Sequence, residues 1–91
     1  MVRKRRFSSA KYKAWRLSVY KRDNFKCRWP GCKSNQGLNA HHITRWVDSV
    51  HLRFNTGNGI TLCHKHHKMV TGRESHYAVF LSGLLRKYKG K

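Results

Sequence analysis

The residues best able to do chemistry in this chain are its cysteines and histidines, and most of them lie in three short stretches. All three cysteines and five of the seven histidines are found there. The stretches are Cys27-Arg-Trp-Pro-Gly-Cys32, His41-His42 and Cys63-His-Lys-His-His67. Thiolates and imidazoles are side chains that zinc binds readily in proteins. A core of this size needs far fewer, so we predict a structural zinc ion and a second site that uses the remaining histidines.

The three cysteines supply most of a tetrahedral zinc site. A Pro-Gly pair bends the chain between Cys27 and Cys32, which lets their thiolates converge. Cys63 supplies a third thiolate, and the fourth ligand has to come from the histidines that follow it, His64, His66 or His67. A zinc knuckle is a short turn that carries two ligands, and we call residues 27–32 the first knuckle, or simply the knuckle. Because a second knuckle normally separates its two ligands by two residues, the spacing after Cys63 favours His66, with His64 and His67 as alternatives. An odd number of cysteines argues against a framework of disulfides alone.

When His66 binds zinc, three of the remaining histidines of these stretches are candidates for a second site. His67 is displaced from His66 by about 100° around a helix, so it points away from the zinc. His41 and His42 are neighbours on a presumed strand, so their side chains face opposite ways. One of them can therefore bind a metal ion while the other addresses a substrate.

The charge of the chain is extreme for its 91 residues. Lysines and arginines number 21 against three acids, and the formal net charge is +18. Self-repulsion opposes compaction, so the stability of the fold does not explain this excess. A polyanion relieves it through phosphate contacts and counterion release, and we therefore predict a nucleic-acid partner. The sequence contains no apolar run of the kind that predicts a signal peptide or a membrane span. We therefore expect an intracellular protein.

The remaining pattern predicts the elements that position these side chains. We expect one domain over residues 10–91, preceded by a flexible basic arm over residues 1–9. Apolar residues at helical spacing predict the helices, and short runs beside the histidine doublet and Cys63 predict the strands. The predicted elements are a helix over 10–21, strands over 38–43 and 60–63 around a loop over 44–59, a helix over 64–70, and a C-terminal helix with the apolar stripe Tyr77, Phe80, Leu81, Leu84, Leu85 and Tyr88.

The order of these motifs resembles that of the HNH endonucleases, which have the ββα-metal fold. The similarity lies in the first knuckle, in His41-His42-Ile43, and in Asn58-Gly-Ile-Thr-Leu-Cys63-His-Lys-His-His67. The segment Val19-Tyr-Lys-Arg-Asp-Asn-Phe-Lys-Cys27 also resembles the helix end that precedes the first knuckle in phage-type members. The match covers about residues 15–80. It implies a small, zinc-stapled α+β domain of the ββα-metal (His-Me finger) type, with flanking N- and C-terminal helices.

The resemblance also implies an activity and a role for each site residue. It implies a metal-dependent DNA endonuclease, nicking or cleaving both strands, that hydrolyses phosphodiester bonds with a histidine-activated water. By this resemblance His42 is the general base, a task that suits an imidazole at neutral pH. His41 and His67 would hold one divalent cation, and Asn58 would brace the loop between the strands. The family often has Asp where this chain has His41, so the cation stays open among Mg²⁺, Mn²⁺, Ni²⁺ and Zn²⁺.

DNA is the implied partner, and phosphate contacts are expected to dominate. Little in the sequence supplies base-specific contacts, so we expect a weak sequence preference and a monomer or weak dimer. The residues expected to contact DNA are Arg3, Lys4, Arg5, Arg6, Arg45, Lys65 and Lys68. The resemblance implies a phage- or mobile-element-encoded protein in the bacterial cytoplasm, one that works beside phage packaging machinery.

Two alternatives stand beside the endonuclease. A non-catalytic zinc module that binds nucleic acid, such as a ribosome-associated protein, explains the charge and the knuckles equally well. It does not explain the surplus histidines His41, His42 and His67. A nuclease toxin explains them, but it normally needs an immunity partner or a delivery domain. Outside these motifs, we expect Asp23 to cap or bridge near the knuckle. Trp29 can pack over the zinc or stack on a base, and we favour packing. Glu74 can pair locally with a basic side chain or lie near the metal, and we favour local pairing.

Overall fold

Three helices surround a two-stranded antiparallel sheet in the part of the chain that the computed structural model describes, residues 9–45 and 50–89. For residues 50 and 86–89 only the backbone is described. The elements are α1 (Ala10–Arg22), β1 (Asn39–His42), two 3₁₀ turns (Val50–Leu52 and Thr56–Asn58), β2 (Gly59–Leu62), α2 (His64–Val70) and α3 (Glu74–Lys89). The α+β prediction is confirmed. Residues 1–8 of the predicted arm, with Arg3, Lys4, Arg5 and Arg6, lie outside the described residues.

Helix α1 packs the face that its spacing predicts. Ser9 caps it, since the Ser9 hydroxyl accepts a hydrogen bond from the backbone N–H of Tyr12 at 3.1 Å. Trp15 and Val19 are buried, and Tyr12 is half-buried beside them. The helix therefore starts at the end of the predicted arm and ends one residue later than expected, at Arg22.

Strand β2 lies at the centre of the structure. All four of its residues are buried, and it pairs with β1 so that His41 lies opposite Ile60 and His42 opposite Gly59. Gly59 has an ordinary extended conformation, with φ −127°. A Cβ at this position would lie 2.5 Å from the Trp15 ring and 2.6 Å from Val19. Glycine is thus required here by the close approach of α1 to the sheet.

A buried carboxylate joins α1 to the knuckle and to β2. The side chain of Asp23 is fully buried, and its oxygens accept hydrogen bonds from Arg22 at 2.8 Å, from Arg28, and from the backbone N–H of Thr61 at 2.9 Å. Burial alone raises the pKa of Asp23. The hydrogen bonds and charges of these partners outweigh it and hold that pKa below its usual value. The expectation that Asp23 bridges near the knuckle agrees with these contacts.

Helix α3 covers the core with most of its predicted stripe. Leu81 is fully buried, and Tyr77, Leu84 and Leu85 pack against the core cluster around Ile60 and Leu62. Phe80 is more exposed, at 42%, and its ring packs edge to face with the ring of Trp29. The side chain of Tyr88 lies outside the described residues. Within the described part of the chain, no helix is both long and apolar enough to cross a membrane.

Replacing Gly59 by alanine should destabilise the fold through a steric clash. We expect Gly59→Ala to lower the free energy of unfolding by about 3 kcal/mol, because Trp15 and Val19 must both move. Gly72→Ala, away from the metal centre, is the control, since its Cβ meets nothing within 4 Å and only the left-handed φ of +87° opposes it. That strain should cost about 1 kcal/mol. Denaturant unfolding at fixed zinc concentration measures both, and equal losses would contradict the clash.

The Asp23 carboxylate should make stability depend on pH. Asp23→Asn leaves two arginines without their counter-charge, and we expect a loss of about 3 kcal/mol near neutral pH. Because the folded pKa lies below the unfolded value of about 3.9, this contribution is complete above that value and disappears as pH falls through the folded pKa. The difference in unfolding free energy between wild type and variant should therefore shrink in acid. A difference that stays constant down to the acid transition would contradict the assignment.

Candidate metal centre and histidine cleft

Three cysteines and one histidine come together beside the knuckle. The ligand atoms of Cys27, Cys32, Cys63 and His66 all lie within 4.8 Å of one another. The Nδ1 atom of His66 lies 3.5 Å from the sulfur of Cys27 and 3.3 Å from that of Cys63, and the sulfurs of Cys32 and Cys63 are 4.0 Å apart. Ligands around a tetrahedral zinc ion are separated by roughly 3.5–3.8 Å. The cluster therefore has the composition and size to hold a metal ion such as zinc, and it contains the predicted histidine.

Local structure explains how the chain gathers these four side chains. The backbone N–H of Cys32 donates to the carbonyl of Trp29 at 2.9 Å, which closes a turn, and Gly31 takes the left-handed φ of +81° that the turn needs. Cys63 is the residue that caps α2, so His66 follows on the first turn of that helix. Because Cys63 caps α2, strand β2 ends at Leu62, one residue before the end of the predicted strand over 60–63.

The Trp29 ring covers the metal centre. It lies parallel to the His66 ring, with the two centroids 4.8 Å apart and an interplanar angle of 5°. This agrees with the expectation that Trp29 packs over the site. Burial raises the pKa of the Cys27 thiol to about 11, so this sulfur keeps its proton at neutral pH in the metal-free chain. Metal binding has to displace that proton, which makes the affinity increase with pH.

A second group of histidines lies in a cleft of about 460 Å³, which we call the histidine cleft. Its walls come from α1, from β1 and the residues around it, from α2 and the turn after it, and from the first residue of α3. The residues that line it are Tyr12, Arg16, Tyr20, Leu38, Asn39, Ala40, His41, His42, Arg45, His67, Thr71 and Glu74. The cleft thus contains all three of the surplus histidines.

His41 faces α2 and has an unsatisfied nitrogen. It is buried, and its ring meets the edge of the His67 ring with the centroids 5.6 Å apart. Among the described residues nothing forms a hydrogen bond with the Nε2 atom of His41. Burial, followed by the charge of His67, lowers the pKa of His41 to about 4, and burial also lowers the pKa of His67. Both imidazoles are therefore neutral at physiological pH, and the Nε2 atom of His41 is a buried polar atom whose hydrogen-bonding capacity the described residues do not use.

His42 faces the opposite way, toward α1, as the alternation along a strand predicts. Its ring stacks on Trp15 with the centroids 3.9 Å apart and an interplanar angle of 11°. Its Nε2 atom lies 2.9 Å from the carbonyl oxygen of Arg53. Because a carbonyl only accepts, Nε2 carries the proton of the neutral ring and Nδ1 carries the lone pair. Burial lowers the pKa of His42, against the opposing effect of the Arg53 carbonyl.

Asn58 holds the segments that follow β1 and precede β2. Its amide oxygen accepts from the backbone N–H of Thr44 at 2.8 Å, and its amide nitrogen donates to the carbonyls of Thr44 and Leu52 at 3.1 and 3.2 Å. Leu52 precedes Arg53, whose carbonyl orients His42. The buried amide therefore braces the loop between the strands and, through that loop, the His42 ring.

The predicted DNA contacts are only partly gathered at the cleft. Arg45 lines it, whereas Lys65 and Lys68 are exposed on α2 and do not. The sequence patterns did not assign Arg16 or Tyr20 to the site, and for Glu74 they favoured local pairing over a place near the metal. Arg16 and Tyr20 follow Tyr12 at intervals of four, so a second face of α1 contained the signal.

A larger cleft of about 920 Å³ lies beside the knuckle. Its polar wall includes Arg22, Asp23 and Arg28, which already bond to one another. The unsatisfied nitrogen and the facing imidazoles belong to the smaller histidine cleft, which is therefore the better candidate for chemistry.

Comparisons of the chain with protein-family models, with curated proteins and with solved structures found no match. The resemblance to the HNH endonucleases therefore rests on the residues named above. The function of the histidine cleft has to follow from the chemistry of its own side chains. Two features bear on it, an imidazole with a defined tautomer and a pair of facing neutral imidazoles.

Exchanging one histidine of α2 should remove the metal while exchanging its neighbour should not. We expect His66→Ala to lower zinc affinity by more than about 100-fold, since even the loss of an outer-shell partner can cost that much. His64→Ala is the control, because His64 is exposed on the same helix turn. Zinc content after dialysis against a competing chelator measures the difference. Equal zinc loss from both variants would contradict the ligand set.

Proposed function

We propose that this chain is a metal-dependent DNA endonuclease with the ββα-metal arrangement, in which the histidine cleft is the active site. One observation carries the proposal. In a single cleft, the Nε2 atom of His42 is bonded to a backbone carbonyl while His41 and His67 face each other as neutral imidazoles. A non-catalytic zinc module gains nothing from either arrangement. The order β1, β2, α2 and the nearby metal centre are consistent with that fold.

The side chains of the cleft suit hydrolysis of a phosphodiester. His42 accepts a proton from water at Nδ1, and the water oxygen forms a bond to phosphorus. The bond between phosphorus and the 3′ oxygen breaks, and the leaving oxygen takes a proton from solvent. His41 and His67 would hold a divalent cation, and that cation would supply positive charge to the reacting phosphodiester. Asn58 acts through the loop to keep the His42 ring oriented.

Two arginines give the cleft an affinity for phosphate. Arg16 and Arg45 are both exposed and line the cleft beside the histidines. Guanidinium groups bind phosphate oxygens in a forked geometry without reading the base. Together with the net charge of +18, they favour DNA as the partner and a weak sequence preference. A role beside phage packaging machinery stays a prediction of the resemblance.

Removing the His42 imidazole should abolish cleavage without unfolding the protein. We expect zinc-loaded wild type to nick supercoiled plasmid with Mg²⁺, Mn²⁺ or Ni²⁺, and His42→Ala to cut at least about 100-fold more slowly, as loss of a general base predicts. His76→Ala is the control, because His76 is exposed on α3 and does not line the cleft. DNA binding by the zinc-loaded proteins, measured without added Mg²⁺, Mn²⁺ or Ni²⁺, should be equal for all three.

Two outcomes of the plasmid assay would contradict the proposal. Well-folded, zinc-loaded wild type that binds plasmid but cleaves none with any of these cations would favour the non-catalytic nucleic-acid-binding module. Loss of cleavage in both variants would mean that His42 has no special role.

A further inference from the structure

We propose that Glu74 is a third, carboxylate ligand of the cation site at His41 and His67, and that it makes this site accept hard cations such as Mg²⁺ and Mn²⁺. The inference deepens the proposed function and rests on it for the location of the cation. It gives Glu74 a different role from the local pairing that its sequence position predicts.

The position of Glu74 carries the first part of the proposal. It opens α3 just after the turn that follows α2, it is half-buried, and it lines the histidine cleft with both imidazoles. It is the only acidic residue among the described residues that line the cleft. Its negative charge acts on both rings, since it opposes the lowering of the pKa of His41 and of His67.

The unsatisfied nitrogen of His41 is the second, independent observation. His41 is only 4% exposed, and its Nε2 atom has no hydrogen-bond partner among the described residues. A buried polar atom of this kind costs free energy unless something binds it. The ring that faces it is that of His67, with the two centroids 5.6 Å apart. A cation shared by the two rings and Glu74 would satisfy the nitrogen.

Electrostatics explains why a carboxylate is needed. Two neutral imidazoles alone provide no negative charge, and Arg16 and Arg45 on the cleft wall repel a divalent cation. Imidazole suits Zn²⁺, Ni²⁺ and Cu²⁺, whereas Mg²⁺ and Mn²⁺ prefer oxygen ligands. One carboxylate therefore supplies both the counter-charge and the oxygen ligand. The remaining positions around the cation stay open for water and phosphate.

The present contact of Glu74 is compatible with this role. Its Oε2 atom accepts from the backbone N–H of Gly72 at 3.1 Å. A carboxylate has two oxygens, so Oε1 can bind a cation while Oε2 keeps that hydrogen bond. Among the described residues only the Cys27–Cys32–Cys63–His66 cluster already has three ligand atoms within 4.8 Å of one another. The ligand atoms of His41, His67 and Glu74 are not that close together, so cation binding has to draw these side chains inward.

A purely structural role for Glu74 makes a different prediction. Its bond to Gly72 and its place in the first turn of α3 stabilise the helix start. Glu74→Gln keeps the shape and an oxygen that accepts from Gly72 but removes the charge. Glu74→Ala removes both. The glutamine variant therefore separates cation binding from helix capping.

The experiment is a titration of the zinc-loaded full chain with Mn²⁺, followed by the paramagnetic resonance of free Mn²⁺, without DNA and with a non-cleavable duplex. We expect Glu74→Gln to weaken Mn²⁺ binding by about tenfold or more at unchanged melting temperature. Ni²⁺ binding, measured by calorimetry, should weaken less. His67→Ala should weaken both, and His64→Ala, a surface control, should weaken neither. An Mn²⁺ affinity that is equal in wild type and Glu74→Gln would overturn the proposal.

Plasmid cleavage separates this inference from the proposed function. Mn²⁺ binding that depends on Glu74, with no cleavage by wild type, would support the ligand assignment and reject the nuclease. Cleavage by wild type that Glu74→Gln matches at limiting Mg²⁺ would keep the nuclease and reject Glu74 as a ligand. Absence of Mn²⁺ binding by wild type, with or without the duplex, would also reject it.

Discussion

The buried carboxylate of Asp23 is the interaction on which the other parts of this small structure depend. It is bonded to Arg22, to Arg28 and to the backbone of β2. Arg22 in turn donates to the carbonyls of Thr56 and Gly59, and Arg28 to that of Leu84 in α3. In a chain with a net charge of +18, one acid thus lets two arginines act as internal cross-links. Helix α1, the knuckle, the sheet and α3 meet at this point.

The two candidate sites are joined through α2. His66 belongs to the metal centre and His67 to the histidine cleft, although they are neighbours in the chain. The helix has only seven residues, too few to be stable on its own. A metal ion bound by Cys63 and His66 would fix the first turn of this helix. It would therefore also fix the direction of His67, so that occupancy of the metal centre shapes the cleft.

Local spacing explains what the sequence could predict. The metal ligands, the bounds of α2 and the opposite directions of His41 and His42 all follow from rules that act over a few residues. Contacts made by distant parts of the chain could not be predicted in this way. Glu74 joins the cleft only because the chain after α2 brings the start of α3 beside β1, and Gly59 is needed only because α1 packs directly on β2. The bonds of Asp23 to Thr61 and of His42 to Arg53 likewise depend on the tertiary arrangement.

The stack of His42 on Trp15 has an optical consequence. The two rings are 3.9 Å apart and nearly parallel, and Trp15 is buried in the core. A protonated imidazole over an indole face quenches the fluorescence of that indole, and the neutral ring quenches it much less. Trp15 is therefore an intrinsic fluorophore that senses the ionisation of His42. Trp29 and Trp46 also emit, and Trp29 stacks on His66. With both of them replaced by phenylalanine, the remaining Trp15 emission follows the charge of His42 in real time, with no dye attached.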